Sequence, residues 1–424
     1  MLKMSEVKRY AKRIDEYLKP NLFRVCAPPC GVLRHPFVDP SAQYAGTLWD
    51  WDSYWAIRAM ISGVERYKKD ADFDYESAKE KIILHAKGTV LNFFENQEPD
   101  GFIPMMIASS GPFHNYYRDA HRAGEKHNMH KPFLLQNILQ ISRFAGDFSW
   151  VDVEAAVKYM RYYETAQFNE KAGLFYWVND VMIGIDNNPT VFFRKKESSA
   201  DIYLNAFLAL EYDALVTILT ACGDSRVAEF KERATKFKET LNRVCYDEKD
   251  QIYYSQDLSF DYTPFYANGF LLHENMQPHW HAMPIKVRFW GCFIPLYAKI
   301  ADENRARAIE KRHLQDPAVM AKYGVRTVAS DEPFYNLEKT SNPSNWLGAI
   351  WGVSNFVVYQ GLKNYNLKTA KVLAEKTIRL FEENLEKSGD MYESYLPDTG
   401  EPCLYPGFTN WNVLVLEMLK EFGA

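Results

Sequence analysis

The chain has 424 residues, a formal net charge of −5 and an aromatic share of 15%, with 10 tryptophans and 27 tyrosines. Acidic and basic residues are interspersed, so the sequence lacks the basic stripe on which nucleic-acid binding depends. We expect no membrane span, because no window of 18 uniformly apolar residues occurs, and the first ten residues lack the apolar stretch of a secretion signal.

Six cysteines are dispersed along the chain. Cys26 and Cys30 have three residues between them, and neither a second cysteine pair nor an ordered histidine partner accompanies them. This pattern does not predict a zinc site, and reduced thiols are the default in the cytosol. We therefore expect a cytoplasmic protein with no metal ion and no organic cofactor.

Apolar residues recur at helical spacing along the whole chain. The candidate helices cover residues 4–18, 52–68, 75–97, 131–145, 149–167, 198–222, 225–245, 283–300, 303–315, 344–363, 367–388 and 408–422. Strand-like alternation is confined to short pieces such as 174–178 and 252–254. No linker, charge block or low-complexity run divides the chain, so we expect one domain over residues 1–424. The oligomeric state, including a homo-oligomer, is left open.

The connections between these helices alternate between short and long. The long ones cover roughly 19–51, 98–130, 168–197, 246–282, 316–343 and 389–407. Short links join antiparallel neighbours, so the chain is expected to form six helical hairpins with the long loops at one end. This rhythm predicts an all-α fold, an (α/α)6 barrel. The even-numbered helices are the more uniformly apolar and would be the inner ones.

Two acidic residues stand in Gly/Pro-rich loops more than 200 residues apart: Asp186 within Gly184–Pro189, and Glu393 just before Pro397–Gly400. A third segment, residues 49–55, places three tryptophans beside two aspartates. Indole faces stack on the C–H faces of sugars, and carboxylates accept hydrogen bonds from sugar hydroxyls. All three segments lie in long loops or at the start of the next inner helix, where they would converge on one rim. This combination indicates a glycosidase acting on a small carbohydrate.

These segments resemble the clan of inverting glycosidases that contains glycoside hydrolase families 37 (trehalases) and 63. The similar pairs are Trp51–Tyr54 with WD[ST]Y, Asp100–Pro104 with DG-x-IP, Gly184–Pro189 with SG-[LM]-DNSP, Ser199–Ala206 with V-D-L-N-A, Asn345–Trp351 with YWRG-x-IW, and Glu393–Trp411 with EN-Y-x(3)-TGE…FGWT. Leu347 stands at the arginine of YWRG, and the trehalase arginine motifs are not evident. The chain also lacks the extra N-terminal β-domain of large family 63 enzymes. It therefore looks more like the compact members that hydrolyse mannosylglycerate or glucosylglycerate.

The resemblance implies an inverting, exo-acting α-glycosidase with Asp186 as the general acid and Glu393 as the general base. Inversion needs a protonated carboxyl and an opposed carboxylate roughly 6.5–9.5 Å apart, with a water molecule between substrate and base. The neighbouring Phe192 and Phe193 would desolvate Asp186 and raise its pKa. Asp201 is an alternative acid, although its place in a helical run favours a hydrogen-bonded carboxylate of an inner helix.

Trp51, Asp52 and Tyr54 open an inner helix and are candidates for the −1 sugar subsite, with helix capping as the alternative role of Asp52. Trp346 and Trp351 are five residues apart on a predicted helix, so they would not both face the site, and we favour Trp346. Further candidate substrate-binding residues are Tyr395, Trp411, Arg194 and Gln136, the last with a buried capping role as the alternative. An acidic aglycone would also need a cation. The rim loops offer Arg118, His127, His130, Lys131 and Arg194.

Two other functions are compatible with the sequence. Sugar epimerases on (α/α)6 barrels use histidine pairs for proton transfer, and four histidines lie in the predicted rim loops: His127, His130, His279 and His281. A catalytically silent sugar-binding protein would keep the tryptophan and aspartate cluster. It would have no need for both Asp186 and Glu393 in opposed loops, so the presence of the two acids favours an enzyme.

Overall fold

The computed structural model of the protein describes residues 3–260, 265–272, 280–338 and 344–423, and it is mostly helical. The α-helices are α1 (Met4–Asn21), α2 (Asp50–Tyr67), α3 (Tyr75–Glu95), α4 (Tyr116–Arg122), α5 (Leu134–Ala145), α6 (Val153–Ala166), α7 (Ile202–Cys222), α8 (Val227–Val244), α9 (Ile294–Tyr297), α10 (Glu303–Ile309), α11 (Gly352–Asn364), α12 (Thr369–Ser388) and α13 (Val415–Leu419). Turns of 3₁₀ or π-helix occur at Ala42–Tyr44, Trp290–Phe293, Glu310–Leu314, Trp411–Leu414 and Lys420–Phe422.

The strands have two or three residues each. They are β1 (Cys26–Ala27), β2 (Phe37–Val38), β3 (Thr47–Trp49), β4 (Met106–Ala108), β5 (Phe168–Asn169), β6 (Leu174–Phe175), β7 (Ser199–Ala200), β8 (Tyr246–Asp247), β9 (Ile252–Tyr253), β10 (Ser255–Asp257), β11 (Phe265–Ala267), β12 (Phe270–Leu272), β13 (Met283–Ile285), β14 (Ile350–Trp351) and β15 (Ser394–Tyr395).

The helices form two sets that alternate along most of the chain. An inner series consists of α2, α5, α7, α9, α11 and α13, in which each helix contacts the next and α13 also contacts α2. Outer helices pack against this series: α3 contacts α2 and α5, α6 and α8 contact α7, and α12 contacts α11 and α13. The inner helices are the ones that the sequence predicts as inner.

Helix α7 shows how burial explains the apolar composition of the inner series. By length and mean hydropathy its 21 residues would suffice to cross a membrane, but 78% of the apolar stretch is buried inside the protein. A helix that is surrounded by other helices is apolar on every side. Its ends are set locally, because the Asp201 side chain accepts a hydrogen bond from the backbone N–H of Tyr203, and Gly223 ends the helix at φ +69°.

Three small sheets position the loops at the start of the inner helices. Strand β3 pairs with β4 and leads directly into α2, with Trp49 opposite Met106. Strand β14 pairs with β15, with Trp351 opposite Ser394, which places the preceding Glu393 beside the start of α11. Strand β10 pairs with both β7 and β13. These pairs link loops that are distant in sequence.

Two predicted inner helices are partly wrong. Residues 283–285 form strand β13, and helical turns begin only at Trp290; residues 344–351 are not helical, and α11 begins at Gly352. Gly348 has a φ of +139°, which a helix does not allow. Apolar periodicity does not distinguish a buried irregular segment from a helix, which explains both errors.

Other boundaries differ by a few residues, and one helix is not predicted at all. Helix α5 begins at Leu134 and α7 at Ile202, three to four residues after the predicted starts at 131 and 198. Residues 132–133 in front of α5 form a turn and residues 199–200 in front of α7 form strand β7; Lys131 and Asp201 in these segments are described with the site below. Helix α4 lies inside the predicted long loop 98–130, where its polar sequence gives little apolar periodicity.

Candidate active site

A cavity of about 430 Å³ lies where the inner helices begin. Its lining residues come from the loops before these helices, from their first turns and from the loop after α12. They are Pro40, Tyr44, Trp49, Trp51, Asp52, Lys131, Asp180, Val181, Met182, Gly184, Asp186, Phe192, Ser344, Trp346, Trp351, Glu393 and Trp411. The structure thus brings together segments that are more than 300 residues apart.

Six of the ten site residues expected from the sequence line this cavity: Trp51, Asp52, Asp186, Trp346, Glu393 and Trp411. The other four do not. Tyr54 lies two residues beyond Asp52 on α2, about 200° further around the helix, so it faces another direction. Tyr54 and Gln136 line a second cavity at the other end of the inner helices. The Gln136 side chain donates a hydrogen bond to the carbonyl of Pro132 at 2.7 Å.

Tyr395 and Arg194 lie behind the residues that line the cavity. Tyr395 is fully buried, and its hydroxyl accepts a hydrogen bond from the backbone N–H of Tyr392 at 2.7 Å. This bond closes the turn that carries Glu393. Arg194 forms an ion pair with Asp257 on strand β10.

Glu393 is a buried carboxyl without a hydrogen-bond partner at one of its oxygens. The residue is 7% exposed, and its Oε2 atom has no partner within the described structure. Burial raises the pKa of Glu393 to about 8, and the negative charges of Asp52 and Asp186 contribute to this rise. A buried carboxyl that is left unpaired is costly for stability, and such groups are concentrated at functional sites.

Asp52 lies in the first turn of α2, and its charge interacts with those of Asp186 and Glu393. Burial raises the pKa of Asp52 to about 7, against the opposing effect of the Lys131 ammonium group. Asn410 donates a hydrogen bond to Asp52 Oδ1 at 3.2 Å. Asn410 precedes Trp411, so this bond joins the beginning of α2 to the segment that leads into α13. We did not identify Asn410 from the sequence, although it lies in one of the matched motifs.

The loop that carries Asp186 is fixed on both sides of the acid. Asn187 donates to Asn345 Oδ1 at 3.0 Å and accepts from the backbone N–H of Trp346 at 2.8 Å. Before the acid, Gly184 has a φ of +92°, and a Cβ atom there would be 3.0 Å from the Tyr203 hydroxyl. The loop therefore needs a glycine at this position, and it is tied to the segment that provides Trp346.

Asp201 holds the other part of this loop and does not line the cavity. Its carboxylate is completely buried and accepts hydrogen bonds from Asn188 Nδ2 at 2.9 Å and Thr190 Oγ1 at 3.3 Å. It also accepts from Trp177 Nε1 at 3.1 Å and Ser255 Oγ at 2.9 Å. A carboxylate with this many donors has a positioning role, as its place at the start of α7 suggests.

Tryptophans form the walls of the cavity. Trp51 packs edge-on against Trp346 and Trp411, with ring centroids 6.5 and 6.3 Å apart. Trp346 and Trp351 stack face to face at 3.9 Å, and both line the cavity. The expectation that only one of the two could face the site was wrong, because it assumed a helix where residues 344–351 are not helical. Trp411 Nε1 is buried without an acceptor within the described structure.

Lys131 is the cation among the lining residues, and it is already bonded. Its Nζ atom is 2.7 Å from Asp50 Oδ1 and donates to the carbonyl of Met182 at 2.9 Å. Both side chains are buried, with exposures of 2% and 0%. The sequence shows Asp50 beside Asp52 but does not indicate which partner neutralises it, since that partner is 81 residues away.

The remaining cations proposed for an acidic aglycone have other partners. Arg118 donates to Glu98 Oε1 at 2.8 Å, and His127 is 3.2 Å from Glu125. His130 is buried, and burial lowers its pKa to about 4, so its imidazole is neutral near pH 7. None of the histidines within the described ranges lines the cavity, and His279 lies outside the described residues. The histidine pairs proposed for an epimerase therefore gain no support from the site.

Comparisons with known proteins identify the family. A family model described as the mannosylglycerate hydrolase MGH1-like glycoside hydrolase domain matches residues 84–411. The chain is 32% identical over 111 residues to mannosylglycerate hydrolase MGH2 of Selaginella moellendorffii, a match that covers 26% of this chain and 20% of that protein. The matched segment thus spans only a fifth of this curated relative.

Two solved structures show the same fold. The GH63 mannosylglycerate hydrolase from Thermus thermophilus in complex with glucose superposes with a TM-score of 0.65 at 17% identity, covering 97% of this chain and 99% of that one. Neutral trehalase Nth1 from Saccharomyces cerevisiae gives a TM-score of 0.58 at 14% identity, covering 92% and 75%. The predicted resemblance to family 63 glycoside hydrolases is confirmed. The family model extends over most of the chain, and the protein belongs to the mannosylglycerate hydrolase MGH1-like glycoside hydrolases.

Proposed function

We propose that the protein is an inverting, exo-acting α-glycosidase that hydrolyses a small α-glucoside or α-mannoside, such as glucosylglycerate, mannosylglycerate or a short disaccharide. One observation supports this most strongly: Asp186 and Glu393, from loops more than 200 residues apart, line one cavity walled by tryptophans. Glu393 is buried and faces that cavity. A buried carboxyl that faces a cavity of this kind suits an enzyme that removes a terminal sugar.

In this proposal the chain is one catalytic domain, residues 1–424, built as a closed (α/α)6 barrel. The cycle of contacts from α2 through α5, α7, α9 and α11 to α13 and back to α2 supports closure. The relationship to a trehalase and to a GH63 hydrolase of similar fold also supports it. All six cysteines are thiols, in keeping with the cytoplasmic location that the sequence predicts.

The proposed reaction uses two carboxyl groups. The Asp186 carboxyl gives its proton to the glycosidic oxygen as the bond from that oxygen to the anomeric carbon breaks. The Glu393 carboxylate takes a proton from a water molecule, whose oxygen bonds to the anomeric carbon from the opposite face. The products are the free sugar with inverted configuration and the alcohol. Proton exchange with solvent then returns a proton to Asp186 and removes one from Glu393.

The electrostatics of the cavity are suited to a strong base. Glu393 has a pKa raised to about 8, so once it is ionised it holds a proton more tightly than an ordinary carboxylate. The free enzyme is active only in the fraction that has lost this proton. Asp186 shares the cavity with Asp52 and Glu393, and like charges favour the protonated form of at least one member of such a group.

The sugar of the −1 subsite would lie between the tryptophan walls and Asp52. Trp51, Trp346 and Trp411 offer apolar faces, while Asp52 accepts hydrogen bonds from hydroxyl groups. An acidic aglycone such as glycerate would have to bind near Lys131, which would then be shared with Asp50. Because that ammonium group is already bonded to Asp50, the proposal includes neutral aglycones on an equal footing with acidic ones.

The test is an NMR assay of the anomer first released from trehalose, kojibiose, glucosylglycerate and mannosylglycerate. Release of the β-anomer from an α-glycoside is the expected result. The α-anomer as first product would overturn inversion, and no hydrolysis of any of the four would overturn the substrate class. Epimerised sugar without hydrolysis would favour the isomerase instead.

A further inference from the structure

A second cavity, of about 780 Å³, lies at the opposite end of the inner helix series. It is lined by the later turns of the helices whose first turns or preceding loops line the catalytic cavity. One residue from each inner helix illustrates this: Arg58 from α2, Gln140 from α5, Leu210 from α7, Tyr297 from α9, Gln360 from α11 and Glu417 from α13. The volume is within the range of small-molecule sites. No step of the proposed hydrolysis uses this cavity.

Arg58 is the chemically distinctive group in the second cavity. Its Nε atom is buried and has no hydrogen-bond acceptor within the described structure. Its guanidinium group lies 5.1 Å from the centre of the Phe356 ring and 3.7 Å from Glu417 Oε2, too far for a hydrogen bond. The other carboxylate oxygen of Glu417 already accepts from the Ser62 hydroxyl at 2.5 Å. The Nε atom itself is shielded by its neighbours, but the Arg58 side chain is 27% exposed, so the rest of the guanidinium group can be reached from the cavity.

The charges around the cavity disfavour both anions and cations as the occupant. Glu417 and Asp213 line it, and the C-terminal ends of the inner helices add partial negative charge, all of which repel an anion. Four cations, Arg58, Arg143, Lys238 and Lys299, also line it and repel a cation. Lys238 and Asp213 are paired at 2.5 Å and largely cancel each other. A neutral compound that both donates and accepts hydrogen bonds is repelled by neither set of charges.

We propose that the second cavity is a binding site for a neutral polyhydroxy compound, a monosaccharide or small saccharide, separate from the catalytic cavity. Hydroxyl groups can accept from the exposed part of the Arg58 guanidinium group and donate to Glu417 or to the amide oxygen of Gln360. The rings of Tyr54 and Tyr297 provide apolar surface for sugar C–H groups. Proteins bind neutral sugars with the same kinds of group: an arginine, a carboxylate, amides and aromatic rings.

The test follows the Nε–H resonance of Arg58 in ¹⁵N-labelled full-length protein during titration with D-glucose. The resonance is assigned by its loss in Arg58→Lys. We expect a saturable shift in the wild type. Leu210→Trp places a large ring in the cavity and should weaken binding at least tenfold. Leu84→Trp makes the same change on the exposed face of α3 and should leave the dissociation constant within twofold.

Three results would overturn the proposal. The first is an Arg58 signal that does not respond to glucose or to mannose. The second is equal binding in Leu210→Trp and Leu84→Trp, which would place the sugar elsewhere. The third is a stronger response to inorganic phosphate or to methylammonium than to either sugar, which would make the site one for ions. If Arg58→Lys does not fold, a crystal soaked with glucose gives the location directly, and an empty second cavity beside an occupied catalytic cavity overturns the proposal.

Discussion

The two ends of the inner helices differ in the charges that line their cavities, and the helices themselves account for part of this difference. Carboxylates predominate at the N-terminal ends, where Asp52, Asp186 and Glu393 meet the positive ends of the helix dipoles. At the C-terminal ends the cavity is lined by both signs of charge, with Arg58, Arg143, Lys238 and Lys299 beside Asp213 and Glu417. The excess of carboxylates at one end and of cations at the other suits the helix dipoles and does not by itself indicate a function.

Pairing of the charges distinguishes the two ends. At the C-terminal end Lys238 is bonded to Asp213, and Glu417 accepts from Ser62. At the N-terminal end three carboxyl groups face one another, and the nearby Lys131 is bonded to a fourth, Asp50. Burial raises the pKa of Glu393 and Asp52, and the charges of the neighbouring carboxylates add to this rise. Carboxylates that raise each other's pKa destabilise the protein, so their presence together in one cavity favours a catalytic role.

The largest expected effect comes from removing either of the two carboxyls that we propose as catalytic. Asp186→Asn and Glu393→Gln should each fold normally and lower kcat by roughly 10²–10⁴-fold or more, the usual contribution of one acid or base. Steady-state kinetics and circular dichroism give the two readouts. Glu232→Gln, an exposed position on α8 paired with Lys236, is the matched control and should retain full activity. More than a tenth of wild-type activity in either variant would remove that residue from the mechanism.

The next effect concerns a carboxylate that is paired. In Asp201→Asn an amide replaces an acceptor of at least four side-chain hydrogen bonds, so buried donors lose their partners. We expect the free energy of unfolding to fall by about 2–4 kcal/mol, and kcat to fall because Asn188 no longer holds the Asp186 loop. Thermal unfolding and kcat on the same sample measure both. Unchanged stability and activity would contradict the positioning role, and Asp119→Asn on exposed α4 is the control.

These two predictions separate what the sequence can provide from what it cannot. Asp186 and Glu393 could be picked out as residues of one cavity because each stands in a loop with a recognisable motif, and the outer helices α1, α3 and α12 match their predicted ranges closely. The pairing of Asp50 with Lys131 could not be predicted, because it depends on which loops meet at the cavity floor. The stacking of Trp346 on Trp351 was missed for a different reason: their apolar segment resembles a helix in sequence while being irregular in structure.

The third prediction is that replacing the buried carboxyl of Glu393 by an amide stabilises the protein at high pH. The pKa of Glu393 is about 8 in the folded protein and near 4.5 in the unfolded chain, so the folded state holds the proton more tightly. The contribution of Glu393 to wild-type stability should therefore fall as pH rises from 4.5 to 8 and stay lower above pH 8. Glu393→Gln removes this loss and should be more stable than wild type by about 1–4 kcal/mol at about pH 9 but not at about pH 4. Denaturant unfolding at both pH values measures it, and a variant that is less stable at the higher pH would refute the burial argument.

A smaller effect tests the repulsion between Asp52 and Glu393. For wild type we expect kcat/KM to decrease as pH falls below about 8, since Glu393 must be ionised to act as a base. Asp52→Asn removes one of the charges that raise this pKa. The acidic limb of the profile of kcat/KM against pH should therefore move to lower pH by roughly one unit. Asp180→Asn, in the same cavity, has no such effect on Glu393 and serves as the control. A limb that moves to higher pH, or an equal shift in both variants, would contradict the repulsion.

The smallest effect is expected from the two loop arginines that the sequence offers for an acidic aglycone. Arg194 is held by Asp257 and Arg118 by Glu98, and neither lines the cavity. A guanidinium group engaged in an ion pair has little capacity left for a substrate carboxylate, and breaking a partly exposed pair costs only about 0–1 kcal/mol. Arg194→Ala and Arg118→Ala should therefore change kcat/KM by less than about fivefold, and equally for glucosylglycerate and for a neutral disaccharide. A selective loss on the acidic substrate would show that one of these arginines leaves its partner to bind it. The equal footing of neutral and acidic aglycones argued from Lys131 would then be wrong.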